Sequence, residues 1–221
     1  MTTKIKALVL DLDDTLYAEI SYLQSAYRFI AAKISTQPQQ LYAKMLAEYQ
    51  AGENVFENIS KKYQLDKKEL LDWYRFHKPD ITLFQDVAET LTYFATEYKY
   101  AVITDGRSKT QRNKLQALGL TNLLSSIVIS EEIGSEKPSI ANYEKVMNEL
   151  QCEEYIYIGD NLRKDFVTAK LLGWTTICLK DQGQNIHKQN FSIAAQYQAD
   201  HCLNSWQEIR SFLSLDRNKT H

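Results

Sequence analysis

The 221-residue chain lacks the features that mark a disulfide scaffold, a nucleic-acid binder or a membrane protein. Its three cysteines, Cys152, Cys178 and Cys202, are odd in number and far apart, with no CxxC or Cys/His metal spacing. We expect them to be buried structural thiols of a reducing compartment. The formal net charge of −2 leaves no basic surface with which to grip DNA or RNA. The opening Met-Thr-Thr-Lys-Ile-Lys runs straight into a short apolar strand. That run is too short for a signal peptide and far too short to span a membrane. Internal repeats and low-complexity tracts are absent. What is present, 44% hydrophobic and 24% charged residues, is the composition of an ordinary globular protein. The length suits one large domain, or a core carrying a smaller insert. A cytoplasmic enzyme, monomer or homodimer, with neither nucleic acid nor membrane as partner, is the expectation.

Four segments read as short buried strands of a parallel sheet: Ile5–Leu10, Tyr100–Thr104, Ile127–Ile129 and Tyr155–Ile158. Thr175–Leu179 makes a fifth, and His201–Leu203 a weaker edge strand. Helical spacing separates them. Val87, Leu91, Phe94 and Tyr98 form one stripe, and Leu115 and Leu118 precede Gly119, a good helix-terminating residue. Further helices are expected at Tyr143–Leu150 and at Leu162–Leu172, the latter ending at Gly173. Strand and helix in alternation imply a doubly wound α/β, Rossmann-like sheet covered on both faces, with ligands bound beyond the strand C-termini.

One connection breaks the rhythm. About seventy residues without a convincing strand separate the first strand from the helix near Gln85, too many for a structureless loop. Ile20, Leu23, Tyr27 and Ile30 make one helical stripe there, and Leu41, Met45 and Tyr49 another. Val55–Tyr63 and Lys67–Phe76 read as two more helices. We expect residues 16–80 to form an inserted helical cap, with residues 1–15 and 81–221 as the core. The end of the chain, from about Asp216, is expected to fray.

The polar residues fall at the strand ends. The first strand runs into Asp11-Leu12-Asp13-Asp14-Thr15, the second into Thr104-Asp105-Gly106, and the fourth into Gly159-Asp160-Asn161. Lys137 follows the third strand, just before Pro138. Neighbouring parallel strands end side by side, so these groups should converge. Three gathered carboxylates repel one another and call for a cation. An all-oxygen set suits Mg²⁺, which commonly binds through carboxylates plus a substrate phosphate. A lysine, a threonine and oriented backbone amides can grip the remaining phosphoryl oxygens.

The order Asp-x-Asp-x-Thr, strand-end Thr, Lys-Pro and Gly-Asp-x-x-x-x-Asp resembles the haloacid dehalogenase (HAD) superfamily, over about residues 5–180. The segment Thr104–Gln111 is similar to its N-acylneuraminate-9-phosphatase and house-cleaning nucleotidase branch. The resemblance implies that Asp11 is the nucleophile and a metal ligand. It makes Asp13 the general acid and base, with its carbonyl on the metal. Thr104 and the Asp105 amide would hold phosphate, lined by Leu12 and Gly106, and Lys137 would neutralise it. Asp160 would ligate Mg²⁺, with Asp165 and Asn161 supporting from behind; Asp165 would orient Lys137 or a metal-bound water. The insert resembles the family's helical cap.

The expected activity is Mg²⁺-dependent hydrolysis of a small phosphorylated metabolite, a sugar phosphate or a nucleoside monophosphate, through an aspartyl-phosphate. Asp13 argues against a dehalogenase, which lacks the second aspartate. A phosphonate hydrolase would need a Schiff-base lysine from the cap, where Lys33, Lys44 and Lys61 lie. A phosphomutase shares the core chemistry and is the main alternative; a non-catalytic binding module is the weaker one. Asp14 reads as a loop-holding residue and Arg107 as a surface arginine. Arg75, His77 and Lys78 read as a solvated charge run, and the cap tyrosines as packing residues.

Overall fold

The computed structural model describes residues 5–219. The chain opens with β1 (Lys6–Leu10) and then enters four helices, α1 (Glu19–Ile34), α2 (Pro38–Gln50), α3 (Val55–Tyr63) and α4 (Lys67–Phe76). Local chemistry sets their limits. Pro38 occupies the first turn of α2, where its missing N–H costs nothing. Asn54 and Asp66 cap α3 and α4 by accepting the amides of Glu57 and Lys68. These helices pack on one another around their own cluster of Leu23, Tyr27, Ile30, Leu41, Met45, Ile59 and Leu70.

From there strands and helices alternate: α5 (Val87–Tyr93), β2 (Tyr98–Thr104), α6 (Ser108–Ala117), β3 (Ser126–Ile129), the single turn α7 (Ser130–Ile133) and α8 (Ile140–Leu150). Next come β4 (Glu154–Gly159), α9 (Phe166–Leu171), β5 (Thr175–Leu179), β6 (His201–Leu203) and α10 (Trp206–Lys219). The six strands are parallel in the order β3-β2-β1-β4-β5-β6. Successive residues of each strand feed opposite faces, as a doubly wound sheet requires. Leu8, Leu10, Val102, Ile156 and Ile158 join one core, and Ala7, Val9, Ala101, Ile103 and Tyr157 the other. The chain winds outward from β1 in one direction and from β4 in the other, so the topological switch point lies between these two strands.

Several expectations need correction. Tyr98 belongs to β2, not to the helix before it, which stops at Tyr93. The helix expected from Leu162 starts only at Phe166, because residues 162–165 form the turn that carries Asp165. α10 is assigned as far as Lys219, but the side chains from Asp216 onward, the stretch expected to fray, and all of Thr220 and His221 lie outside the described residues. The cysteines are free thiols, but only Cys178 is fully buried. His77 is not solvated. It is 3% exposed, with Nδ1 against the Tyr74 carbonyl and Nε2 against Ser25 Oγ. Among the described residues no helix is long and apolar enough to cross a membrane.

Candidate active site

Asp11 and Asp160 leave the ends of β1 and β4 at the switch point, and the Asp11 amide donates to the Ile158 carbonyl (2.9 Å). Asp11, Asp160 and Asp165 each bring a buried carboxylate oxygen within 4.8 Å of the others. Lys137 enters this knot as a buried ammonium. It contacts Asp11 Oδ1 closely, Asp165 Oδ1 at 2.7 Å and the Tyr157 hydroxyl at 3.3 Å. Three acceptors match the three N–H donors of the ammonium. Thr15 donates to the other Asp11 oxygen (3.2 Å).

The turn after β4 exists to place Asp165. Its Oδ2 accepts the Asn161 amide at 2.8 Å, and its Oδ1 accepts the Tyr157 hydroxyl at 3.1 Å. Gly159 is required for closeness, since a β-carbon there would strike the Asp165 carboxylate. Asp105 braces the lysine loop, accepting the Lys137 amide (2.9 Å) and Lys164 Nζ (2.8 Å). The Gly106 amide donates to Ser130 Oγ at 2.8 Å, and Gly106 sits at φ 136°, a conformation that favours glycine.

Asp13 lies in a second knot. Lys114 Nζ meets its Oδ1 at 2.7 Å, Gln111 Nε2 its Oδ2 at 2.9 Å, and the Tyr17 hydroxyl closes on Oδ1. Gln111 Nε2 also reaches Thr104 Oγ1 at 2.6 Å, joining Thr104 to Asp13. Leu12 buries its side chain in the core below the turn. Asp14, at φ 56°, accepts the amides of Glu19 (2.8 Å) and Ile186 (3.1 Å) and so holds the loop from both sides. Arg107 is half exposed and pairs with Glu131.

The electrostatics separate the knots. Burial raises the Asp11 carboxyl against the pull of Lys137, with Asp165 adding to the rise. Asp160 is pushed up to about 9 by burial and by the charges of Asp11 and Asp165. Lys137 opposes its own burial: the two carboxylates it touches hold it well above the ordinary lysine value. One ammonium therefore serves three carboxylates, and the surplus negative charge falls on Asp11 and Asp160. An all-oxygen, net-negative, buried site of this kind fits a hard divalent cation. At Asp13, burial alone would raise the carboxyl, but Lys114, Tyr17 and Gln111 outweigh it and keep it below its usual range.

Sequence reasoning missed Gln111, Lys114, Tyr17, Tyr157 and the segment after β5. In that segment Asn185 donates to Asp160 Oδ2 (2.9 Å) and Gln189 to the Asp160 carbonyl (2.8 Å). It also missed Trp206, whose indole N–H donates to the Thr15 carbonyl at 2.9 Å. For the α6 pair a signal was present: Gln111 and Lys114 share the helical stripe of Leu115 and Leu118 and are buried with it.

The knot of carboxylates around one lysine thus lies at the switch point of a parallel sheet, where such folds place their sites. The family model of haloacid dehalogenase-like hydrolases matches residues 8–179, and the chain belongs to that family. It is 26% identical to the glyceraldehyde 3-phosphate phosphatase of Methanocaldococcus jannaschii, across 93% of this chain and 95% of that one. It is 23% identical to the N-acylneuraminate-9-phosphatase of Rattus norvegicus, across 74% of this chain and 77% of that one. The crystal structure of a HAD phosphatase from Thermococcus onnurineus superposes with a TM-score of 0.61 at 22% identity, covering 95% of this chain and 98% of that one.

Proposed function

We propose that the chain is a Mg²⁺-dependent phosphomonoesterase acting on a small sugar phosphate through an aspartyl-phosphate on Asp11. The observation that carries the reading is Asp11 itself. It is a buried carboxylate at the switch point, held by Thr15 and Lys137 and crowded by two further acids. The relatives named for a triose phosphate and a sugar-acid phosphate favour the sugar-phosphate class over nucleotides.

In the first half-reaction an Asp11 oxygen bonds to phosphorus as the bond to the leaving alcohol breaks, and Asp13 gives that alcohol its proton. In the second, Asp13 takes a proton from water. The water oxygen attacks phosphorus, freeing Asp11 and inorganic phosphate. The ionised Asp13 of this structure is the form that receives the proton from water. Thr104, the Asp105 amide and Lys137 hold the phosphoryl oxygens, with the backbone at Leu12 and Gly106 completing the pocket. Asp11, Asp160 and the Asp13 carbonyl would hold Mg²⁺, backed by Asp165 and Asn161; when bound, the ion neutralises charge on the transferring group. Residues 16–80, with their separate apolar cluster, act as a cap that closes over the core and excludes water.

Inorganic phosphate release from a panel of triose, pentose and hexose phosphates and nucleoside monophosphates, with Mg²⁺ or with EDTA, tests the reading. Release from sugar phosphates that EDTA stops is the expected result. No release from any member would direct attention to phosphoryl transfer between sugar hydroxyls and would remove the phosphatase assignment.

A further inference from the structure

Lys114 is a buried cation that the proposed mechanism does not use. Its side chain is 5% exposed, it lies on α6, and the carboxylate it meets is Asp13. Asp13 is gripped on both oxygens, by Lys114 and Tyr17 on one and by Gln111 on the other, so its direction is fixed. The grip extends into the inserted helices. Lys114 Nζ lies 4.6 Å from the ring centre of Tyr22 on α1 and 5.9 Å from that of Tyr17. The Tyr22 hydroxyl donates to the carbonyls of Tyr74 (2.9 Å) and Arg75 (3.2 Å) at the end of α4. Thr110, one turn before Lys114, donates to the same Arg75 carbonyl (3.1 Å). These hydroxyls satisfy carbonyls that the end of α4 leaves without intrahelical partners, and so tie α1, α4 and α6 together. Lys114 thus stands between the Tyr22 ring of the insert on one side and the Asp13 carboxylate on the other.

We propose that Lys114 is a positioning residue: docked against Tyr22, it aims the Asp13 carboxyl at the leaving-group oxygen, so that leaving-group protonation depends on the insert being in place. This rests on the phosphatase reading and goes beyond it, because it assigns a role to a residue outside the four motifs. It also predicts which substrates feel its loss. An alkoxide leaving group must be protonated as it departs, whereas p-nitrophenolate leaves without a proton near neutral pH. The quantity kcat/KM covers the chemistry only through departure of the leaving group, so the later hydrolysis of the aspartyl-phosphate does not blur the comparison.

The test measures kcat and KM for glyceraldehyde 3-phosphate and for p-nitrophenyl phosphate with wild type, Lys114→Met, Lys114→Arg and Tyr22→Leu, with Asp13→Asn as reference. Lys114→Met is expected to lower kcat/KM for the sugar phosphate by ~10²-fold, the usual scale of a misplaced catalytic group, with the loss carried by kcat. The aryl phosphate should lose less than about fivefold, reproducing the bias of Asp13→Asn. Lys114→Arg should restore much of the difference. Tyr22→Leu, which leaves Lys114 in place but removes the ring beneath it, should show the same bias at smaller size, and it decides the matter if Lys114→Met does not fold. Equal losses on both substrates would make Lys114 merely structural and overturn the proposal. So would a rise in KM for the sugar phosphate with kcat unchanged, which would mark a substrate contact. If wild type hydrolyses neither compound, or Asp11→Asn still does, the phosphatase reading itself fails and takes this proposal with it.

Discussion

Asp11→Asn is expected to abolish phosphate release while leaving the fold intact. A carboxamide oxygen is a poor nucleophile and cannot return as a carboxylate leaving group, so neither half-reaction has a route. The loss should reach at least ~10⁵-fold, the scale seen when a covalent nucleophile is removed. The fold should not suffer, because the change takes one of three crowded acids out of a net-negative knot. Lys137 keeps Asp165 and the Tyr157 hydroxyl as partners. Two measurements on the purified variant decide it: steady-state phosphate release, and the thermal midpoint in EDTA. A folded variant retaining more than about a hundredth of wild-type turnover would remove Asp11 from the nucleophile's role.

Lys137→Met should harm both activity and stability. The ammonium is shared by Asp11 and Asp165, and in the proposed mechanism it neutralises the phosphoryl group. Losing it is expected to cost ~10²–10³-fold in kcat, the range for one well-placed electrostatic donor. Removing one partner of a buried ion pair typically costs about 3–5 kcal/mol, so the urea midpoint should fall sharply in EDTA. Added Mg²⁺ should recover part of it. A variant as stable as wild type in EDTA would show that the three carboxylates do not need this cation.

The same charge surplus gives the metal-free wild type a particular pH dependence. Burial and mutual repulsion raise Asp11 above its ordinary value and take Asp160 from 3.8 to about 9. The folded chain therefore holds protons there that the unfolded chain has already released. Stability is then lost as pH rises from about 4 towards 9. In EDTA the thermal midpoint should drop across that span, and in Mg²⁺ the drop should shrink. A midpoint that rises with pH in EDTA would contradict the raised values.

The sheet was legible because each strand is an apolar run that ends in a polar residue. Asp11, Thr104 and Asp160 mark the ends of β1, β2 and β4 within a residue of where hydrogen bonding stops. The first two helices of the insert were legible because Ile20, Leu23, Tyr27 and Ile30, and then Leu41, Met45 and Tyr49, recur at helical spacing. What escaped has physical causes. Tyr98 fits a helical stripe and a strand equally well, and β-pairing opposite Lys6 decided it. On α6, Gln111 and Lys114 fall on the stripe of Leu115 and Leu118, but the spacing alone does not name Asp13 as their partner. Tyr157 looks like any other core aromatic, since nothing along a strand reveals that its hydroxyl will lie beside an ammonium. Asn185 and Gln189 sit in a polar stretch that resembles an ordinary loop, and only tertiary placement brings them onto Asp160.

The pins from Asn185, Ile186 and Trp206 have a consequence for the order in which the protein is made. The aspartate-rich loop after β1 leaves the ribosome well before the residues that pin it. Its supports arrive late: Ile186 lies 172 residues beyond Asp14, and Trp206 lies 191 residues beyond Thr15. A nascent chain that has emerged only as far as β5 carries all four family motifs but neither the amide that holds Asp14 nor the indole that holds Thr15. The loop is therefore translated long before it can be fastened, and its supports are complete only once Trp206 has emerged.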